Sequence, residues 1–271
     1  MPTLDQNIKT WNESYAWSQQ GDEWSRSWGS PSAQWYGTIL PRIRAFVPAH
    51  TILEIAPGFG RWTQFLIPLS DDMILVDLST KCIEACRSRF ASYPRVRYHV
   101  NDGRSLDMVE DQSINFAFTF DSLVHVEFDI LIAYLEQLAR KLTPDGVAFI
   151  HHSNLGAYVD PTSKLLPETM KNPHWRAHSV SAEAVQKACS ELGLFCVSQE
   201  TINWGNKELI DAITVVAEPE SKWAVETQTL DNAAFKDEVS YIARLSRLYD
   251  RDRFARGRQP SRSFEITDDP L

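Results

Sequence analysis

Apolar positions along this chain follow two alternating periods. Short runs rich in Val, Ile, Leu and Phe at 52–56, 73–78, 95–100, 114–120 and 146–152 read as buried strands. Between them, 61–69, 79–91 and 128–142 carry helical spacing. The last is clearest: Ile130, Leu131, Tyr134, Leu135, Leu138 and Leu142 recur three and four residues apart, on one helical face. It stops at Thr143-Pro144-Asp145-Gly146, a turn signal. After 180, SAEAVQKACSELG predicts a further amphipathic helix, and LFCVSQETI and ELIDAITVVAEP predict two more strands, an antiparallel end to the sheet. Strands alternating with helices imply right-handed crossovers. The expected fold is α/β: a doubly wound, mainly parallel, seven-stranded sheet.

Two segments fall outside this alternation. Residues 1–44 are unusually aromatic (Trp11, Tyr15, Trp17, Trp24, Trp28, Trp35, Tyr36) and are expected to form a lid on the central domain, 45–218. Residues 219–271 read as a charged helical tail. There Phe235, Val239, Ile242, Leu245 and Leu248 make an apolar stripe over 228–250, followed by the basic run RDRFARGRQPSR. A stripe must be buried against something, so it either closes over the site or pairs two subunits; a homodimer is expected.

Composition narrows the partners. Of 271 residues, 43% are hydrophobic and 23% charged, ordinary for a globular protein. A formal charge of −9 argues against a nucleic-acid partner. No apolar run is long enough to span a bilayer, and the N-terminus lacks a signal-peptide pattern, so a cytoplasmic location is expected. Cys82, Cys86, Cys189 and Cys196 lack zinc-site spacing and read as plain thiols.

The chemistry concentrates at strand ends. TILEIAPGFGRWTQFL, 51–66, reads as strand, glycine turn and helix start, and Gly58 and Gly60 let backbone approach a ligand. Seventeen residues past Gly60, the run MILVDLS places Asp77 where such sheets bind a ribose hydroxyl. A nicotinamide dehydrogenase would write G-x-G-x-x-G, but position 63 is Thr. Glu54-x-Ala56-x-Gly58-x-Gly60 instead resembles motif I of the class I S-adenosylmethionine-dependent methyltransferases, with Ala56 where that family usually has glycine. The resemblance spans roughly 45–218. It implies S-adenosylmethionine as cofactor and gives roles to Glu54, Ala56, Gly58, Gly60 and Arg61, to Asp77 at the ribose, to Asp102-Gly103 at the adenine, and to Asp121 beside the methyl-transfer site. Carboxylates at Glu54 and Asp121 would favour the cationic end of that cofactor, and Arg61 its carboxylate. The alternative readings are a helix-capping acid for Glu54, a turn acid for Asp77 and an Asx-turn residue for Asp102.

FIHHSNLGAY ends the fifth strand with two histidines at the crevice edge of the sheet. His151 or His152 is the expected general base for a hydroxyl acceptor, with Asp121 orienting it and His125 able to share the role. These motifs and the N-terminal G-D-E-W-S-x-x-W-G resemble bacterial sugar and polysaccharide O-methyltransferases. They imply a carbohydrate acceptor, with Trp24, Trp28, Tyr36 and Asn154 as its binding residues. A divalent cation such as Mg2+ would suit a vicinal diol, and Asp121, His125, Glu127 and Asp129 could supply ligands, though their spacing assigns none of them. Alternative acceptors are a small phenol, amine or carboxylate. A degenerate binding module is a different class of reading.

Overall fold

A computed structural model describes residues 3–168, 170, 175–205 and 207–249. The basic run after Leu248 lies outside the described residues.

Strand β1 (Ala49–Ile55) is buried from Thr51 onward, as a central parallel strand with helices on both faces requires. It lies between β2 (Ser70–Asp77) and β4 (Ile114–Thr119), parallel to both. Strand β3 (Val96–Val100) extends one side, and β5 (Leu142–Ser153) the other. Strand β7 (Asp211–Ala217) runs antiparallel between β5 and β6 (Phe195–Ile202). An eighth strand, β8 (Gln228–Asn232), adds in parallel to β6, giving the order β3-β2-β1-β4-β5-β7-β6-β8. The expected seven strands are therefore eight among the described residues, in a mixed sheet. The added strand, QTLDN, is almost fully exposed and has no apolar period for the sequence reading to detect.

The expected turn at 143–146 is a bulge inside β5: Ile114 pairs with Leu142, yet Phe116 pairs with Val147. Gly146 sits so close to β4 that a Cβ there would lie 2.5 Å from the Ile114 carbonyl oxygen.

Two apolar layers flank the sheet. On one face α6 (Phe128–Lys141) and α7 (Ala182–Glu191) cover Leu53, Ile74, Ala117, Ala148 and Ile150. On the other, α4 (Thr63–Leu66) and α5 (Thr80–Arg89) share the layer with both outer segments. Trp28, α2 (Pro31–Gln34), Trp35, Ile39 and α3 (Leu40–Ile43) pack there. So does α8 (Phe235–Leu248), whose Phe235 is 1% exposed against Trp28 and Trp204. Val239 and Ile242 join the same layer, and Arg42 bonds both Glu200 and Glu238. The N-terminal half of the tail stripe is thus buried within its own chain, which removes the argument for a dimer, while Leu245 and Leu248 stay partly exposed. A short α1 (Leu4–Lys9), begun by a Thr3 capping box, lies over Gly103. No helix among the described residues is long and apolar enough to cross a membrane.

Candidate active site

The glycine turn leaves β1 through Ala56, whose φ of +57° is left-handed, and whose amide donates to the Val76 carbonyl at 2.8 Å. That conformation strains any residue with a Cβ. Gly60 (φ +84°) faces Phe90 and Cys86; a Cβ there would meet Phe90 at 2.4 Å. The Gly58 amide donates to Asp77 Oδ2 at 3.1 Å, and the Ser79 amide to Oδ1 at 2.8 Å. Burial pushes the Asp77 carboxyl up to about 6 against the pull of those two amides.

Glu54, 2% exposed, accepts the Thr63 hydroxyl at 2.6 Å through Oε2, but its buried Oε1 has no partner. Burial raises its pKa to about 8, so it is protonated at neutral pH. Arg61 lies 4.5 Å over the Trp62 ring and donates through Nη2 to Asp121 Oδ2 at 2.8 Å. Its buried Nη1 also has no partner. An unpaired buried guanidinium nitrogen and an unpaired buried carboxyl oxygen at the turn and the strand before it are costly unless a ligand meets them. The structure therefore brings Glu54, Ala56, Gly58, Gly60, Arg61, Asp77 and Asp121 to one crevice. Asp102 is set apart: it is exposed, and its Oδ1 accepts the Arg104 and Ser105 amides, the Asx turn that was its other reading. Gly103 (φ +80°) lies beneath Leu4.

A strap from the N-terminal segment covers this crevice. Asn12 Oδ1 accepts the Ser79 hydroxyl at 2.6 Å, and Lys81 Nζ donates to the Tyr15 carbonyl at 3.0 Å. Trp17 stacks on Phe59 at 4.4 Å and would touch any Cβ on Gly58. Tyr15 donates to Glu23 Oε1 at 2.8 Å and stacks on Trp24. Asp22 Oδ1 and Glu23 Oε2 are buried without partners. Among the expected acceptor residues only Trp24 is here. Trp28 is core, its Nε1 donating to Thr38 at 2.9 Å. Tyr36 is 64% exposed beside Phe65. Asn154 joins backbone to backbone, donating to the Leu209 carbonyl and accepting the Ala182 amide.

The two strand-end histidines are fully buried with every ring nitrogen engaged. His152 Nε2 lies 2.8 Å from Thr214 Oγ1 and Nδ1 2.8 Å from the Ser153 carbonyl, and burial depresses its pKa to about 4. His151 Nδ1 accepts the Asp121 amide at 3.0 Å, and its Nε2 lies 3.2 Å from Asp211 Oδ2. Arg176 grips Asp211 twice, at 2.6 and 2.7 Å. Burial alone would raise the Asp211 carboxyl, but Arg176 and His151 outweigh it and hold it near 2. Neither histidine offers a lone pair to an acceptor, which counts against both as the general base. His125 differs: it is half-buried beside Trp11, with Nδ1 3.4 Å from the Trp175 carbonyl, so the ring proton falls on Nδ1 and Nε2 keeps its lone pair. Burial, then Arg176, lowers its pKa to about 4 and keeps it neutral.

The expected divalent cation finds no donor set. Asp121 is held by Arg61, Glu127 by Ser179, and Asp129 by Arg104. No group of three His, Cys, Asp or Glu residues among those described is placed to hold a metal ion. Cys82, Cys86, Cys189 and Cys196 are buried free thiols. Sequence reasoning missed Thr63, Ser79, Arg176, Asp211 and Trp204. Asp211 alone carried a signal, being the single charge at the head of the apolar run DAITVVA.

Residues 52–146 match the family model described as a methyltransferase domain. The strand order and the glycine turn at the end of β1 are those of a Rossmann-like methyltransferase fold. Among curated proteins, the chain is 28% identical over 101 residues to ribosomal RNA small subunit methyltransferase A of Dehalococcoides mccartyi, covering 37% of this chain and 34% of the relative. It is 33% identical over 73 residues to the Marinobacter nauticus protein of the same name, 26% of each. The matches thus span about a third or less of the length of these relatives. Among solved structures, an S-adenosylmethionine-dependent methyltransferase from Clostridium acetobutylicum superposes with a TM-score of 0.56 at 14% identity, covering 74% of this chain and 97% of that one. The N-methyltransferase NodS of Bradyrhizobium japonicum superposes at 0.53 with 16% identity, covering 70% and 98%. At these identities the structures share the fold.

Proposed function

We propose that the chain is an S-adenosylmethionine-dependent methyltransferase acting on a hydroxyl of a small, sugar-like acceptor. One observation carries the cofactor reading: Arg61 Nη1, after the glycine turn, and Glu54 Oε1, at the end of β1 before it, are buried and unpaired. The donor set fits the group. A guanidinium N–H without an acceptor suits the cofactor's α-carboxylate. A carboxyl oxygen without a donor suits its ammonium or sulfonium end. When bound, S-adenosylmethionine supplies an already activated methyl group. The residues of the chain then orient the acceptor oxygen and remove its proton. His125, against Trp11 and within electrostatic reach of Asp121, is the side chain with a lone pair left to take that proton. A charge of −9 favours an uncharged small acceptor over RNA.

Thermal unfolding with S-adenosylmethionine, S-adenosylhomocysteine or NADH tests the cofactor. Either sulfur ligand at about a hundred times its dissociation constant should stabilise by roughly 2.7 kcal/mol, a rise of several degrees, with none from NADH. No rise with either sulfur ligand overturns the reading. An acceptor screen over sugars, phenols, amines, carboxylates and RNA then separates the classes. In the productive assay His125→Gln should slow methyl transfer by roughly a hundredfold to ten-thousandfold while S-adenosylhomocysteine binding persists. An undiminished rate would remove His125 as the base.

A further inference from the structure

The buried group behind the crevice is too elaborate to be filler. Arg176, His151 and Asp211 are each 1% exposed or less, and they come from three separate stretches of chain. The His151 ring is gripped on its faces and its edges alike. Phe120 lies 4.6 Å and Trp204 5.2 Å from its centre, and both nitrogens are bonded. A backbone amide can only donate, so Nδ1 carries the lone pair and the ring proton sits on Nε2, facing Asp211. Asp211 has little freedom, because Arg176 holds both of its oxygens. On the far side, the amide held by Nδ1 belongs to Asp121, a non-glycine residue at φ +61° whose carboxylate meets Arg61. The hydrogen bonds therefore form an unbroken series: Arg176, Asp211, His151, the Asp121 backbone, the Asp121 carboxylate, Arg61. Its last atom, Nη1, is the unpartnered nitrogen in the crevice.

We propose that His151 is a positioning residue: its Nδ1 lone pair fixes the Asp121 amide, holds Asp121 left-handed, and so presents the Arg61 guanidinium to the cofactor's carboxylate. The assignment rests on the reading of the crevice as a cofactor site. It differs from a proton-transfer role, because a lone pair committed to an amide is not available to an acceptor hydroxyl. It also explains how a strained Asp121 persists at the end of β4, since surrounding contacts must over-determine such a conformation.

Two variants separate the roles. His151→Phe keeps the ring volume and leaves the Arg176–Asp211 pair intact, but removes the acceptor. His151→Asn puts an amide oxygen near the place of Nδ1 and restores an acceptor. S-adenosylhomocysteine affinity, by titration calorimetry, should fall by roughly tenfold to a hundredfold in His151→Phe and largely recover in His151→Asn. The loss should appear in affinity more than in kcat. Nitrogen NMR of the wild-type ring should report a protonated Nε2 and a bare Nδ1, and the Asp121 amide should exchange faster in His151→Phe. Unchanged affinity with an unchanged Asp121 amide overturns the proposal. So does a loss confined to kcat and equal in both variants, or the opposite ring tautomer. The NMR measurements need no ligand and, if His151→Phe does not fold, the wild-type tautomer decides. A protein that binds neither sulfur ligand would refute the cofactor reading while the tautomer and the amide still judge the positioning role.

Discussion

The two halves of the sheet treat buried polarity in opposite ways. At the β5–β7 side, His151, His152, Asp211 and Arg176 are buried, and the ring nitrogens and the Asp211–Arg176 pair all find partners inside the protein. At the β1–β2 side, Glu54 and Arg61 are buried as deeply, yet each keeps one atom unpaired, and Asp22 and Glu23 above them do the same. A buried group with all its bonds made is architecture; one with a bond withheld is waiting for something that the chain does not supply. That difference, more than residue type, separates the histidines from the glycine turn as candidates for chemistry.

Breaking the satisfied side should cost most. Asp211→Ala leaves the Arg176 guanidinium and the His151 N–H without their acceptor, an expected loss of about 3–5 kcal/mol. Calorimetry should record a fall in Tm of roughly 10 °C. A loss below about 1 kcal/mol would mean that solvent reaches this cluster and the contrast fails.

The unsatisfied side should show itself through pH. The Glu54 carboxyl rises from its ordinary 4.5 to about 8 in the folded chain. Between those values the folded state binds the extra proton, so stability is lost as pH rises. Asp77, raised to about 6, acts in the same direction at lower pH. His125 and His152, lowered to about 4, act oppositely and only below about 6.5. Between 6.5 and 8, below the range where the buried thiols begin to act, Glu54 stands alone, and stability should fall by up to about 2 kcal/mol. Glu54→Gln should abolish that slope and, at pH 8, raise Tm by several degrees while weakening the sulfur ligands. A slope that survives the substitution would assign it elsewhere. The smallest expected effect is at the turn: Ala56→Gly relieves a left-handed alanine and should stabilise by about 0.5–1 kcal/mol in urea unfolding. A loss instead would show that the alanine methyl packs usefully.

Much of the glycine-turn side was legible because its signals are local. An acid closing an apolar run, followed by glycines, places Glu54, Gly58 and Asp77 with no knowledge of neighbours. The histidine side was not legible for the converse reason. Whether His151 has a free lone pair depends on Asp121, 30 residues earlier, and Asp211, 60 later, which meet it only once β4, β5 and β7 are side by side. The same holds for Trp28, expected at the acceptor, which Phe235 of α8 and Thr38 hold in the core instead. The strap lay between these cases: its aromatic density was visible, but not that Asn12 would fasten it to Ser79.

The Trp17–Phe59 stack gives the chain an optical property of its own. An indole lying flat on Phe59 and over Gly58 should change its emission when a ligand enters beside it or displaces it, so this one side chain is expected to report occupancy of the crevice. Subtracting the response of Trp17→Phe isolates it from the other tryptophans, and a stopped-flow trace then gives arrival and departure rates without a label, an acceptor or a turnover assay.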